Sequence, residues 1–225
     1  MSDVIPVLTL DGPSGVGKGT VARILAAETG WHLLDSGALY RILALAAIDA
    51  GIELDDTDRV AALAPALEIE FVPDAGGECI RVDGQDLTAR IRDEATGGHA
   101  SVIAAEPAVR AALLTRQRAF RRPPGLVADG RDMGTVVFAD AAAKVFLDAS
   151  AEERARRRAG QLLENGVNAN LDRLCEEIRA RDERDRTRAE SPLRAADDAL
   201  IIDTSELAIE EVVARVRAHL ASNPV

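Results

Sequence analysis

A glycine-rich stretch near the start of the chain, GPSGVGKGT at residues 12–20, contains the residue types that hold phosphate groups. It matches the phosphate-binding loop pattern G-x-x-x-x-G-K, which requires a strand before it and a helix after it. The glycines let successive backbone N–H groups point inward, and the N-terminus of the helix adds positive potential at the same place. Lys18 would add a point charge beside the β- and γ-phosphates of a nucleotide. The alternative is a glycine-rich turn that binds nothing.

The residue after this lysine departs from the pattern. Ser or Thr normally stands there and its hydroxyl binds Mg²⁺, but here the residue is Gly19 and the hydroxyl comes one position later, at Thr20. A magnesium site built on that hydroxyl is therefore not expected, and the sequence has no N-K-x-D guanine motif. Phosphate oxygens and water would hold a metal ion, with no direct ligand from the chain and Asp129 in the outer shell. A helix-capping or turn aspartate is the alternative role for Asp129.

Five short apolar runs predict buried strands, and helical, charge-rich segments separate them. Each run ends in Asp followed by turn residues. Strands that alternate with helices form a parallel sheet with helices on both faces. We therefore predict an α/β fold with a five-stranded parallel sheet, in a single domain over residues 1–225. The runs are VIPVLTLDG, WHLLDSG, GLVADGRD, AKVFLDAS and ALIIDTS.

Residues 67–92 differ from the rest of the chain. They contain three short, partly alternating runs, with turn residues at 74–77 and 83–84. This pattern predicts a small antiparallel insertion of two or three strands. A helical pattern resumes afterwards, and Pro107 begins its second part. The three runs are LEIEFV, ECIRVDG and QDLTARIR.

The charged residues are unevenly distributed. The net charge is −11, which argues against a general binder of nucleic acid or membrane surfaces. Residues 150–190 nevertheless hold ten Arg and ten acidic residues, so this segment is neutral and dense in arginine. Such a segment suggests an anion site, and we predict that it includes a mobile lid. A solvated helix with ion pairs four residues apart is the alternative, and both can hold at once.

The cysteines and the hydropathy pattern indicate a cytosolic protein. Cys79 and Cys175 show no C-x-x-C spacing, which favours reduced thiols without a metal-binding or catalytic role. No signal peptide is recognised before the first strand, and no apolar run reaches about 18 residues. We also expect a monomer, because no sustained apolar heptad pattern is present.

Three motifs together resemble the bacterial cytidylate kinases, which belong to the P-loop nucleoside monophosphate kinases. GKGT alone is shared with adenylate kinase relatives, whereas DGRDMGTVVF is more specific to the cytidylate branch. The resemblance covers nearly the whole chain, and the insertion at 67–92 resembles a segment on the monophosphate side of that family. The motifs are GPSGVGKGT, LLDSGALYR and ADGRDMGTVVF.

The resemblance implies that ATP and CMP or dCMP react to give ADP and CDP or dCDP, with Mg²⁺. It implies that the ATP phosphates contact the loop and that three lid arginines cover ATP; these residues are Gly12, Pro13, Ser14, Gly15, Val16, Gly17, Lys18, Gly19, Thr20, Arg154, Arg157 and Arg158. It implies that Asp35, Ser36, Tyr40 and Arg41 border the CMP pocket and that Asp129 also belongs to the CMP-binding residues. It implies that Arg131 and Arg188 contact the CMP phosphate, that Arg181 and Asp185 contact the sugar, and that Ser101, Arg110 and Asp132 face cytosine. The implied catalytic residues are Lys18, Arg131, Arg158 and Arg188.

The chemistry of the residues agrees with such a reaction. Phosphoryl transfer between two nucleotides gathers many negative charges in one cleft, and the acceptor is already an anionic phosphate, so no general base is required. Arginine clamps phosphate through two parallel hydrogen bonds, which lysine cannot do. Another P-loop kinase, acting on UMP or on a non-nucleotide alcohol, is one alternative. A nucleotide-dependent switch is the other, although a switch needs no second phosphate pocket.

The choice of base can be argued from hydrogen-bonding groups. Cytosine presents an N4 amino donor beside the N3 acceptor, so its recognition requires an acceptor beside a donor. Asp132 can accept from N4, Arg110 can donate to N3, and Ser101 can do either. The alternative is that Arg110 and Asp132 form an ion pair away from the base.

Overall fold

The computed structural model describes residues 5–74, 77–164 and 166–223. The helices within these ranges are α1 Lys18–Thr29, α2 Ser36–Asp49, α3 Thr57–Leu63, α4 Thr88–Arg92, α5 Glu94–Ile103, α6 Pro107–Arg118, α7 Ala151–Glu164, α8 Leu171–Thr187 and α9 Ile209–Ser222, with a π-helical turn at Met133–Val137. The strands are β1 Val7–Asp11, β2 His32–Asp35, β3 Ile69–Asp74, β4 Gly77–Val82, β5 Gln85–Asp86, β6 Leu126–Asp129, β7 Ala143–Asp148 and β8 Leu200–Asp203.

The chain divides into two compact units. The first unit comprises the residues up to Asp35 and those from Gln117 onward, and the second comprises Ser36–Arg116. Within the described residues, no helix combines the length and the apolar character needed to cross a membrane. The single domain over residues 1–225 stays a prediction.

The first unit contains the predicted five-stranded parallel sheet, in the order β2-β6-β1-β7-β8. Each neighbouring pair is parallel, with Leu8 of β1 in register with Val127 of β6 and Ala143 of β7. All five apolar runs form strands, as predicted. Every residue of β1 and β6 is buried, so both faces of the central sheet are covered. This explains why these runs are continuously apolar instead of alternating.

One face of the sheet packs against helices α1 and α9. Leu8 and Leu10 of β1 form a common core with Leu25 of α1 and Val216 of α9. At the edge of the sheet, the only tryptophan of the chain, Trp31, lies directly against a glycine. A Cβ atom on Gly125 would lie 2.4 Å from the indole ring, so only glycine fits beside it. This contact fixes the start of β2 beside β6.

All five parallel strands end in aspartate. Because the carboxyl ends of parallel strands meet at one edge of a sheet, these side chains lie at the edge where ligands bind in open α/β sheets. Asp35 and Asp129 are register partners on β2 and β6, and Asp148 and Asp203 are partners on β7 and β8. The fold therefore places the predicted glycine-rich loop, which follows Asp11, within a set of strand-end carboxylates.

The second unit contains the predicted antiparallel sheet, in the order β3-β4-β5. Its apolar face packs on α2, where Ile42 and Leu45 contact the core around Ile80 and Val82. The third predicted run, QDLTARIR, is only in part a strand, since β5 is two residues long and α4 begins at Thr88.

The side chain of Thr88 accounts for this difference. Its hydroxyl accepts the N–H of Ile80 at 2.8 Å, and its own N–H is held by Asp86 at 2.9 Å, so the chain turns into a helix there. The predicted break at Pro107, between α5 and α6, is confirmed. Of the predicted turn at 74–77, Ala75 and Gly76 lie outside the described residues.

Candidate active site

The glycine-rich loop follows β1 and precedes α1, as its pattern requires. Gly12, Gly15 and Gly17 have φ values of 143°, 82° and 95°, in the region that side chains disfavour. Gly17 is the N-cap residue of α1 and has no side chain to cap the helix, and the first turn contains no acidic residue. The backbone N–H groups at this end are therefore suited to bind an anion from outside the chain.

Lys18 is the first residue of α1 and is buried. Its Nζ donates to the backbone oxygen of Pro13 at 2.7 Å and lies 3.9 Å from Oδ1 of Asp129. Burial lowers the pKa of Lys18 below its ordinary value, and the positive charge of Arg131 lowers it further. A phosphate group beside the ammonium would oppose both effects and favour its charged form.

The unusual glycine after this lysine lies beside Asp129 and Arg23. A Cβ atom on Gly19 would lie 3.4 Å from Nη1 of Arg23 and 3.5 Å from Oδ2 of Asp129. Arg23 also donates through Nη2 to the hydroxyl of Thr20 at 3.4 Å. Both Cβ distances are ordinary van der Waals contacts, so the packing around position 19 does not itself require glycine.

The residues around Asp129 fit a hydrated divalent cation. Burial raises the pKa of Asp129, the charge of Lys18 lowers it, and the charge of the neighbouring Asp35 raises it again. A cation bound here would add to the positive charge of Lys18 and would therefore stabilise the close carboxylates of Asp129 and Asp35. Carboxylate oxygens are ligands that suit Mg²⁺. Among the described residues, no three His, Cys, Asp or Glu side chains are grouped so as to hold a metal ion directly. The carboxylates of Asp129 and Asp35 suit contact with the water shell of such an ion, and the outer-shell position of Asp129 stays a prediction.

A second cluster lies between the end of β6 and helix α8. Nε of Arg131 donates to Oδ2 of Asp185 at 3.2 Å. Burial alone would raise the pKa of Asp185, but three guanidinium groups outweigh it and hold the pKa below its ordinary value. Three guanidinium groups around one carboxylate leave an excess of positive charge, which can attract a phosphate dianion. The three groups belong to Arg131, Arg181 and Arg188.

The segment between Arg131 and the π-helical turn is held by a residue that sequence reasoning missed. Asp11, the last residue of β1, accepts the N–H groups of Met133 and Gly134, each at 2.8 Å. These bonds fix the turn whose N-cap is the buried Asp132. Burial raises the pKa of Asp11 to about 7 although both N–H donors lower it. Its position at a strand end was the available signal, but four other strands end in the same way.

The raised pKa of Asp11 predicts a pH-dependent stability. Because its folded-state pKa is about 7 and its ordinary value is 3.8, the folded protein binds this proton more tightly than the unfolded chain. The free energy of unfolding should therefore decrease as pH rises between these values and level off above pH 7. Urea denaturation at several pH values measures this. The Asp11→Asn protein should show a flatter dependence than the wild type, and an identical slope would contradict the prediction.

The predicted lid arginines lie on α7. Arg157 donates through Nε to Glu153 at 3.1 Å and through Nη2 to the backbone oxygen of Thr204 at 2.5 Å. The hydroxyl of Thr204 lies 3.1 Å from the backbone oxygen of Asp148 and 3.3 Å from that of Val16, so Thr204 places Arg157 near the phosphate loop. Arg158 contacts Gln161 at 3.5 Å. Ion pairs between residues three or four positions apart are also present, for example Arg157 with Glu153, as the alternative interpretation of this segment anticipated.

The second unit contains the remaining predicted residues. Arg41 donates to two backbone oxygens near the end of α4, at 2.7 and 3.2 Å. The guanidinium of Arg110 lies 5.9 Å from the centre of the Tyr40 ring and donates to the backbone of the α5–α6 connection at 3.1 Å. Ser36 and Ser101 are both buried. Tyr40 and Arg110 are thus brought together by α2 and α6.

Comparison with known proteins identifies the family. The family model described as Cytidylate kinase matches residues 8–222. The chain is 56% identical to cytidylate kinase from Shewanella denitrificans, with 99% of each chain covered. It is 58% identical to cytidylate kinase from Methylococcus capsulatus, with 95% of this chain and 96% of the relative covered. The solved structure of shikimate kinase from Bacteroides thetaiotaomicron aligns with 96% of this chain and 98% of its own, at 16% identity and a TM-score of 0.43. The chain belongs to the cytidylate kinase family.

Proposed function

We propose that this protein transfers the γ-phosphoryl group of ATP directly to the phosphate of CMP or dCMP, giving CDP or dCDP. As a member of its family the chain is a nucleoside monophosphate kinase, and it phosphorylates CMP and dCMP. The observation that carries the proposed mechanism is the buried Lys18 at the uncapped start of α1. The alternative kinases and the switch are not favoured.

The donor site is proposed to be the loop of residues 12–20 with α7. Its backbone N–H groups and Lys18 would bind the β- and γ-phosphates, and Arg157 and Arg158 would cover the bound ATP. Mg²⁺, when bound with ATP, would supply further positive charge to the phosphates. Asp129 would hold the water shell of this ion, with Asp35 beside it. Arg154, in contrast, is engaged with the backbone of the loop itself.

The acceptor residues are proposed for each unit separately. In the first unit, Arg131 and Arg188 would bind the CMP phosphate, and Arg181 and Asp185 would bind the sugar. In the second unit, Ser36, Tyr40 and Arg41 would border the pocket, while Ser101 and Arg110 would face cytosine. Because arginines would orient the acceptor oxygen and neutralise the charge of the transition state, no residue needs to remove a proton.

Residues 150–190 are proposed to close over the nucleotides and exclude water, which would prevent hydrolysis of ATP. The support is the arginine content of α7 and α8 and the contact of Arg157 with Thr204, beside the loop. Hydrogen exchange should therefore slow in this segment when a bisubstrate analogue binds. Equal exchange in the free and bound protein would exclude a lid.

The activity is tested by a coupled assay of ADP release, with ATP and each of CMP, dCMP, UMP, AMP and shikimate. We expect turnover with CMP and dCMP well above that with the other acceptors. Turnover of UMP or of shikimate in preference to CMP would contradict the proposed substrate. Nucleotide binding without ADP release from any acceptor would instead indicate a switch.

Asp132 is proposed to read the base, by accepting a hydrogen bond from N4 of cytosine. Uracil places an oxygen there, so a buried carboxylate would face an acceptor. The Asp132→Ala protein should therefore lose at least about tenfold in kcat/KM for CMP, about 1.4 kcal/mol. The loss for UMP should be much smaller, so the preference for CMP narrows. Measuring kcat/KM for both nucleotides checks this, and an equal loss for both would assign Asp132 to the fold or the phosphate site.

We also propose that the protein acts as a cytoplasmic monomer without nucleic-acid or membrane partners. The net charge of −11 and the two free cysteines support this proposal. Cell fractionation tests the location, and light scattering tests the oligomeric state. A molar mass of two or more times 23.9 kDa would contradict the monomer.

A further inference from the structure

Arg154 of α7 is nearly enclosed, with 2% of its surface exposed. Its Nε donates to the backbone oxygen of Ala149 and its Nη1 to that of Ser14, each at 3.1 Å. Nη1 also donates to Oδ1 of Asp182 at 3.0 Å, and Nη2 donates to the other oxygen of the same carboxylate. All three guanidinium nitrogens are therefore engaged within the protein.

These contacts connect Arg154 to the phosphate loop. Ser14 is the third residue of the loop, and its neighbour Gly15 lies against the aliphatic part of Arg154. A Cβ atom on Gly15 would be 3.4 Å from Cβ and 3.7 Å from Cγ of the arginine. Arg154 thus contacts the loop both by a hydrogen bond and by packing. Because phosphate binding depends on the direction of the backbone N–H groups, a shift of this support would misdirect them.

Asp182 in turn fixes Arg154. It is a buried residue of α8, and it binds the guanidinium with both carboxylate oxygens, the geometry that best defines the orientation of an arginine. We propose that Asp182 is a positioning residue for ATP: it orients Arg154, which holds the phosphate loop in its binding conformation. The inference rests on the proposed function, since it takes ATP as the ligand of the loop.

Asp185 provides an internal comparison. It lies one helical turn after Asp182, is equally buried, and pairs with Arg131 instead of Arg154. The two carboxylates of α8 therefore support different parts of the first unit. Loss of Asp182 should weaken ATP binding in particular, whereas loss of Asp185 should weaken CMP binding.

Calorimetric titration with Mg²⁺ and adenylyl imidodiphosphate, and separately with CMP, tests the proposal. The Asp182→Asn protein should bind the ATP analogue at least about tenfold more weakly and CMP within about twofold of the wild type. The Asp185→Asn protein should show the reverse pattern. Glu183→Gln is the matched control, since it removes one exposed carboxylate from the same turn and should change neither affinity.

Asp182→Asn leaves a buried arginine without its carboxylate and could prevent folding. A second variant, Arg154→Met with Asp182→Leu, removes both charges together, a change that buried ion pairs often tolerate. It also removes the donor to Ser14, so the same loss of affinity for the ATP analogue is expected.

Wild-type affinity for the ATP analogue in either folded variant overturns the proposal, and so does an equal loss of affinity for the analogue and for CMP. Failure of both variants to fold also overturns it, because the pair would then serve the fold alone. Wild-type protein that binds the analogue without phosphorylating CMP would instead contradict the proposed function.

Discussion

Replacement of Lys18 by Met should leave the protein folded and reduce kcat by a factor of about a hundred to a thousand or more. The ammonium group is buried beside Pro13 and Asp129, so little water is available to screen the charge that is lost. No other lysine can take its place, because the second lysine of the chain, Lys144, is bound to Ala139 and Asp198. Assays with saturating ATP and CMP measure the effect, and circular dichroism checks the fold.

Lys144→Met is the matched control for this experiment. It removes the only other lysine, which is also largely buried and hydrogen-bonded. We expect a lower melting temperature but a kcat within about threefold of the wild type, because its contacts are structural. A folded Lys18→Met protein with near-wild-type kcat would refute the role of Lys18 at the phosphates.

Replacement of Gly12 by Ala should have the largest effect on stability. An ideal Cβ atom at this position would lie 2.0 Å from the backbone oxygen of Leu147, in the centre of the sheet, and the φ of 143° disfavours a side chain in addition. Gly12 directly follows β1, and Leu147 lies in β7. Because neither of these strands can move without disturbing the core, strain and overpacking together should cost roughly 2–6 kcal/mol. Chemical denaturation of the purified protein measures this cost.

Gly160→Ala provides the opposite case. Gly160 lies within α7, and a Cβ atom there would meet nothing within 4 Å. The same substitution should therefore stabilise the protein by about 0.5–1 kcal/mol, through the higher helix propensity of alanine. A Gly12→Ala protein as stable as the wild type would show that the loop can move away from Leu147.

The sequence allowed the sheet and the phosphate loop to be predicted, because each depends on local features. Continuous apolar runs identified the five strands, and the spacing of Gly12, Gly17 and Lys18 identified the loop. Only the first two residues of QDLTARIR form a strand, because hydrogen bonds to the side chains of Thr88 and Asp86 turn the chain into a helix there. Such bonds depend on residues that lie apart in sequence.

The supporting contacts of the candidate site could not be predicted in the same way. Residues 150–190 hold ten arginines and ten acids, and their order does not reveal which of them pair. Only the packing of α7 against α8 brings Arg154 to Asp182 and leaves the guanidinium beside Ser14. Asp11 was missed for a related reason, since its partners, Met133 and Gly134, are more than a hundred residues away.

The contact between Trp31 and Gly125 provides the protein with a natural optical probe. The chain has one tryptophan and one tyrosine, and Trp31 belongs to the first unit whereas Tyr40 belongs to the second. Fluorescence excited at the long-wavelength edge of the absorption band comes from the indole of Trp31 alone. It reports whether the pairing of β2 with β6 is intact. The ultraviolet absorbance of the Tyr40 phenol reports the folding of the second unit, which contains the antiparallel sheet. Without any label, the two chromophores can therefore distinguish an unfolding transition shared by both units from two separate ones.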